Sequence, residues 1–266
     1  MGDRIAEALS RIRQEKPLIH HITNFVVMND TANVTLHVGA LPVMAHAAEE
    51  VSEMVSLAGA LVLNPGTLSP AWVESMLIAG RQANQRDIPI VLDPVGAGAT
   101  KLRTESNLRL LSDLKIAIVR GNSGEIGALS GAGGLVKGVE SVAGVQDPIA
   151  VARALARERE TVVAITGKRD IISDGERVLG VDNGHEWLQT NTGTGCMSTT
   201  MIAAFAAVER DYLWAAAAGL ACFGLAAELA AEKAMGPASF KVALFDQIYN
   251  LTPEQLAEGA KIVELT

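Results

Sequence analysis

Aromatic residues are scarce in this chain. Phe, Trp and Tyr together make up 4% of its 266 residues, while Ala, Gly and Val are plentiful. A core so poor in rings closes by near approach of backbones, as helices do when they lie on a parallel sheet. Cysteine is nearly absent. Only Cys196 and Cys222 occur, in separate helical contexts and without metal-type spacing, which excludes a disulfide framework and fits a reducing compartment. Positive charge is in deficit, with 22 Lys and Arg against 30 Asp and Glu and a formal net charge of −8. No basic stripe with interleaved aromatics occurs, which argues against nucleic acid as the main partner. Scattered groups such as Arg153, Arg157 and Arg159 read as solvated helix faces.

Long hydrophobic runs are missing as well. The nearest approach to a membrane span is the Ala-rich stretch around Leu213–Ala231, which is flanked and broken like a buried helix. The segment Met1–Pro17 is charged throughout and has no apolar signal core. Gly2 invites myristoylation, but the sixth position is Ala6 rather than Ser or Thr. The expectation is a soluble, cytoplasmic protein with no membrane partner. There is no GxxxxGK[ST], so the chain is not a P-loop enzyme. Gly96-Ala97-Gly98 lacks the third glycine of a dinucleotide fingerprint.

What is present is an alternation of short β-branched runs with longer helical patterns. Strands are expected at Leu41–Met44, Ala60–Asn64, Ile88–Asp93, Ile116–Arg120 and Thr161–Thr166, and a hairpin at Ile171–Asp174 and Arg177–Val181. Helical patterns fall at about 29–38, 48–57, 69–86, 103–112, 122–130 and 147–159, then at 194–208, 212–234, 237–249 and 252–262. Ser69-Pro70, Asp147-Pro148 and Thr252-Pro253-Glu254-Gln255 carry helix-start signals. The glycine-rich Gly131–Gly144 reads as a mobile surface connection, because the pattern resumes beyond it. This alternation predicts an α/β chain of one domain over residues 1–266, with a mostly parallel sheet and helices on both faces.

Polar residues gather at the C-terminal ends of these strands, where ligands bind in open α/β sheets. Asp93-Pro94-Val95-Gly96 follows one strand, Arg120-Gly121-Asn122 with Glu125 another, and Thr166-Gly167 a third. Thr192-Gly193-Thr194-Gly195-Cys196 opens a helix, so free N–H groups and the positive helix end point at one spot, a ready anion site. Cys196 at that helix start is the candidate general base. The helix end is expected to favour its thiolate and pull its pKa below about 8.5. Asp93 and Glu125, on adjacent strand ends, suit a Mg²⁺ ion that takes one or two carboxylates plus phosphates. An Asx turn and a helix-dipole role are their structural alternatives. Arg120 offers a planar fork for phosphate. Met44 is more often core than ligand wall, and Asn24 has a turn role as its alternative. His20 and His21 are assigned to packing or hydrogen bonding, and Cys222 to the core.

Six segments stand in an order that makes the chain resemble one family. They are His20-His21-Ile22-Thr23-Asn24, Asn64-Pro65-Gly66-Thr67-Leu68, Leu92–Thr100, Arg120-Gly121-Asn122, Asp182-Asn183-Gly184-His185 and Thr192–Cys196. The family is that of the hydroxyethylthiazole kinases, in the ribokinase-like superfamily, and the resemblance runs from about Ile5 to about Leu265. It implies a three-layer αβα sandwich without the β-lid of the sugar kinases. It also implies ATP- and Mg²⁺-dependent phosphorylation of 4-methyl-5-(2-hydroxyethyl)thiazole for thiamine synthesis or salvage, in a homotrimer whose active sites are shared between neighbours. By motif match Asn24, Val26 and Met44 line the thiazole pocket, with Gly193 beside the hydroxyl. Arg120, Thr166, Asn122 and Gly195 face ATP, and Asp93 and Glu125 act on Mg²⁺ and the phosphates. Asn191 and Thr194 depart from the pattern expected there and bear on the substrate-side wall. The rivals on the same fold are a hydroxymethylpyrimidine kinase and an ATP- or ADP-dependent dehydratase of hydrated nicotinamide nucleotides. A non-catalytic nucleotide-binding regulator is the rival of another class. The dehydratases resemble this chain in the glycine turn but look to carry Asp where Cys196 stands.

Overall fold

The computed structural model describes residues 2–132 and 147–265. Its strands are β1 (Leu18–Ile22), β2 (Leu41–Val43), β3 (Ala60–Leu63), β4 (Ile90–Leu92), β5 (Ile118–Asn122), β6 (Val162–Thr166), β7 (Asp170–Ser173), β8 (Val178–Val181) and β9 (Ile262–Glu264). Among the described residues all of them join one sheet in the order β2-β1-β3-β4-β5-β6-β7-β8-β9. Pairing is parallel from β2 through β6 and antiparallel from β6 to β9. The sheet is therefore mostly parallel, as expected, with an antiparallel extension on one side.

Strand side chains alternate between two cores. Ile19, Ala60, Val62, Val91, Ile118 and Ala164 face one. Leu61, Leu63, Ile90, Leu92, Val119 and Val163 face the other. The first core is closed by α1 (Gly2–Glu15), α2 (Met28–Val38), α8 (Thr194–Val208), α9 (Tyr212–Ala231), α10 (Pro237–Asn250) and α11 (Pro253–Gly259). The second is closed by α3 (Val51–Val55), α4 (Pro70–Gln85), α5 (Lys101–Asp113), α6 (Ser123–Ala132) and α7 (Pro148–Arg159). This is the three-layer sandwich, and no separate lid sheet occurs among the described residues.

The three helix-start signals work as their chemistry predicts. Ser69 Oγ accepts from Trp72 N–H, Asp147 Oδ1 accepts from Ala150 N–H, and Thr252 forms a reciprocal box with Gln255. Helix α9 is long and apolar enough to cross a membrane, but 83% of its apolar window is buried, packed on α8 and α10.

Several elements differ from the sequence expectation. Leu18–Ile22 is an interior strand between β2 and β3, although His20 and His21 break its apolar run. Both rings are fully buried: His20 Nε2 lies 2.6 Å from the Ala45 carbonyl, and His21 Nε2 lies 3.2 Å from Thr35 Oγ1. Burial drives the His21 pKa down to about 3, so the ring is neutral and acts as a polar core residue. The charged N-terminus is helix α1, with Ile5, Ala8, Leu9 and Ile12 on its buried face. The last expected helix ends early, at Gly259, and Ile262–Glu264 adds a strand to β8. Beyond Ala132, the Gly131–Gly144 connection lies outside the described residues.

Candidate active site

The strand ends of β1, β3, β4, β5 and β6 converge on the start of α8. Asn24 follows β1, Asn64 follows β3, and Asp93 follows β4, while Arg120 lies within β5 and Thr166 ends β6. Gly193 caps α8 in the left-handed region, φ +85°. A Cβ there would meet Val27 Cγ1 at 2.7 Å, so a side chain is excluded by both backbone and space. Gly195 has a different reason. A Cβ at 195 would lie 2.8 Å from Arg120 Nη1, so its absence lets the guanidinium rest against the helix start.

Two cavities share a wall made of Arg120 and Gly195. The smaller, about 350 Å³, is lined by Asn24, Val26, Asp93, Asn122, Glu125, Gly193 and Cys196 among others. The larger, about 740 Å³, is lined by Thr166, Lys168, Asp170, Asn183 and Phe223 among others. Arg120 Nη2 donates to Thr166 Oγ1 at 2.7 Å, and Nη1 stands 3.9 Å from Asp93 Oδ1. Among the described residues its Nε is buried without a hydrogen-bond partner, as is Asp93 Oδ1. Two opposite charges are thus held at the junction of the cavities with bonding capacity left over, which is what an arriving phosphate or cation requires.

The other oxygen of Asp93 is well held. Oδ2 accepts from Asn64 Nδ2 at 3.0 Å and from Thr199 Oγ1 at 2.9 Å. Burial nevertheless pushes the Asp93 carboxyl up to about 6, against the pull of Arg120. Asp170, buried in the larger cavity's wall, is raised to about 6 for the same reason.

Cys196 Sγ receives Asn64 Nδ2 at 3.2 Å and Asn24 Nδ2 at 3.8 Å. The expectation of a depressed thiol pKa is overturned. Burial first, and the Asp93 charge second, push the Cys196 thiol up to about 12, more than the Asn64, Arg120 and Asn24 contacts can offset. The helix end favours a thiolate, but the fold encloses the sulfur next to a carboxylate, and those two effects win. At neutral pH the resting side chain is a thiol.

Glu125 is engaged with backbone. Its Oε1 accepts from Gly96 N–H at 2.9 Å and its Oε2 from Asn122 N–H at 3.0 Å, which ties the turn after β4 to the start of α6. Asn122, expected on the ATP side, lines the smaller cavity. Met44, half-buried just beyond the edge strand β2, lines neither cavity of this chain. The sequence reading missed Asn64 and Thr199, which hold the acidic centre, and Lys168, Asp170 and Asn183 of the larger cavity. The signal for Asn64 was its place after a buried strand, in a segment already singled out by resemblance.

The fold alone defines a class. A solved ribokinase-like superfamily protein from Enterococcus faecalis V583 matches with a TM-score of 0.69 at 12% identity, covering 93% of this chain and 95% of that chain. Sequence narrows the class further. The model described as the hydroxyethylthiazole kinase family matches residues 9–254. A hydroxyethylthiazole kinase from Roseiflexus sp. (strain RS-1) is 75% identical over 264 residues, 99% of this chain and 98% of its own length. The structure of hydroxyethylthiazole kinase from Pyrococcus horikoshii OT3 matches with a TM-score of 0.91 at 48% identity, covering 99% of each chain. The chain belongs to the hydroxyethylthiazole kinase family.

Proposed function

We propose that this chain, acting as one domain, transfers the γ-phosphoryl group of ATP to the primary hydroxyl of 4-methyl-5-(2-hydroxyethyl)thiazole, in the thiamine pathway. The observation that carries this reading is the joint of the two cavities, where Arg120, Asp93 and Cys196 meet at the start of α8. ATP occupies the larger cavity and presents its phosphates to Arg120, Thr166 and the free N–H groups beside Gly195. The thiazole alcohol occupies the smaller one, against Asn24, Val26 and Gly193. The alcohol oxygen forms a bond to the γ-phosphorus as the bond to the ADP oxygen breaks, and the alcohol proton passes to Cys196 Sγ while the thiol's own proton moves to the neighbouring Asp93 carboxylate.

A loose phosphoryl transition state leaves the alcohol protonated until late, so a resting thiol that hands its proton to Asp93 as it takes the alcohol's can serve. Positioning and charge stabilisation then supply most of the rate, with Arg120 and the α8 N-terminus at the transferring group.

A divalent cation, which ATP-using kinases require, fits here on one carboxylate. Asp93 Oδ1 is buried, without a hydrogen-bond partner among the described residues and close to Arg120 of the shared wall, whereas both Glu125 oxygens already accept backbone N–H groups. Mg²⁺ in nucleotide sites takes one or two carboxylates and is otherwise held by phosphates and water. When bound, Mg²⁺ offsets the charge of the phosphates and of Asp93.

The rim of the acceptor cavity is apolar and open: Phe25 and Val26 are 62% and 63% exposed. A second copy covering this rim, in a homotrimer, would supply the missing wall and bring Met44 to a neighbour's site. Two free cysteines are in keeping with a cytoplasmic location.

The test is ADP release from Mg-ATP with and without hydroxyethylthiazole, with hydroxymethylpyrimidine as control. Release stimulated by the thiazole alone is the expected result. Stimulation by the pyrimidine alone, or by neither alcohol, overturns the assignment.

A further inference from the structure

Asn64 occupies the centre of the acidic site, yet it forms no part of either cavity wall. It is 1% exposed, and its amide spends its whole hydrogen-bonding capacity. Oδ1 accepts from Asn24 Nδ2 at 2.9 Å and from Gly66 N–H at 3.0 Å. Nδ2 donates one hydrogen to Asp93 Oδ2 at 3.0 Å and the other to Cys196 Sγ at 3.2 Å. The orientation of the amide is fixed by these partners. Turning it over would set its oxygen against the Asp93 carboxylate and its NH₂ against two other donors.

We infer that Asn64 is a positioning residue for phosphoryl transfer: a single amide nitrogen that sets the distance between the Cys196 sulfur and the Asp93 carboxylate. The inference rests on the proposed role of Cys196 in the reaction. A residue serving only to close the β3 turn would need its Oδ1 bond to Gly66 and nothing more. Here the other face of the amide is directed wholly at two groups lining the acceptor cavity. The carboxylate has a second anchor in Thr199, but among the described residues the only other hydrogen-bond donor on the sulfur, Asn24 Nδ2, is longer, at 3.8 Å. Loss of Asn64 therefore frees the sulfur more than the carboxylate. The expected consequence is a slower chemical step with substrate binding retained.

The test is a double-mutant cycle of Asn64→Leu and Cys196→Ala, with kcat and both KM values measured and folding checked by thermal melting. Asn64→Leu should lower kcat about 30-fold or more while each KM changes by less than about threefold. In the Cys196→Ala background the same replacement should cost less than about threefold, because residues acting as a unit are not additive. If Asn64→Leu does not fold, Asn64→Asp enters the same cycle with the same expectations. It keeps the acceptor for Asn24 and Gly66 and replaces both donors. Losses that multiply, or a raised KM with unchanged kcat, overturn the role of Asn64 and leave that of Cys196 standing. Full activity in Cys196→Ala removes the Cys196 role and this inference with it.

Discussion

The two cavities on either side of Arg120 are built by different means. The smaller cavity, the proposed acceptor side, is held by a side-chain network centred on Asn64, which hydrogen-bonds Asn24, Asp93 and Cys196, while Thr199 holds Asp93 from the other side. The wall of the larger cavity, the proposed nucleotide side, depends more on partly exposed supports. Arg169 pairs with Asp182 at 2.6 and 2.7 Å near the surface. Glu228 accepts from the Asn183 side chain and from Gly184 N–H, and pairs with Lys261 at 2.7 Å. A buried network is costly to assemble and costly to break, while exposed ion pairs contribute little each. Selectivity for the alcohol should therefore reside in a few irreplaceable side chains. Affinity for ATP should be spread over many dispensable ones.

The largest effect that sharpens this contrast is expected at Asp93. Asp93→Asn should lower kcat about 10³-fold, by removing the buried carboxylate beside Arg120. The same change should raise stability at neutral pH. The folded-state pKa of Asp93 lies above its ordinary value, at about 6, so the native state holds more protons than the unfolded chain between about pH 4 and 6. Stability from this group is thus lost as pH rises through that window. Asp93→Asn should flatten this part of the stability–pH profile and raise the Tm at pH 7 by a few degrees. Calorimetry at pH 4 and pH 7 checks it, and a lower Tm at pH 7 would mean that the pairing with Arg120 outweighs burial.

At the other extreme stands Arg169→Ala. Its bidentate partner Asp182 lines the nucleotide cavity, but the pair is half exposed. The KM for ATP should rise by no more than about threefold, with kcat unchanged. A tenfold loss in kcat from this rim pair would erase the distinction between the two sides.

The same division explains what could be read before folding. Asp93, Arg120 and Thr166 were legible because each ends or interrupts an apolar strand on one sheet edge, where ligands bind. Gly193 and Gly195 were legible as a turn feeding a helix. The reasons differ for the two glycines, a positive φ in one and the Arg120 guanidinium in the other, and only the second needs the fold to see. Asn64 and Thr199 were not legible as a pair, because an Asn after a strand reads as a turn and a Thr in an apolar helix reads as filler. Cys196 shows the limit most clearly. Its helix position is a local fact, but its burial and its carboxylate neighbour come from β4, far away in the chain. Those distant contacts reverse the sign of the expected pKa shift. His20-His21 hid β1 by the same logic, since a broken apolar run gives no hint that Ala45 and Thr35 will partner the rings.

In the proposed reaction the alcohol proton leaves at Cys196. The direct measurement is kcat for Cys196→Ala and Cys196→Asp beside the unaltered chain. A carboxylate in this enclosure titrates far below the thiol, as Asp93 at about 6 against Cys196 at about 12 illustrates. Cys196→Asp should therefore keep turnover within about tenfold of the unaltered chain, or exceed it, while Cys196→Ala should lose about 10²-fold or more. Equal turnover in Cys196→Ala and the unaltered chain would contradict the claim and leave positioning by Arg120 and the α8 N-terminus as the whole source of catalysis.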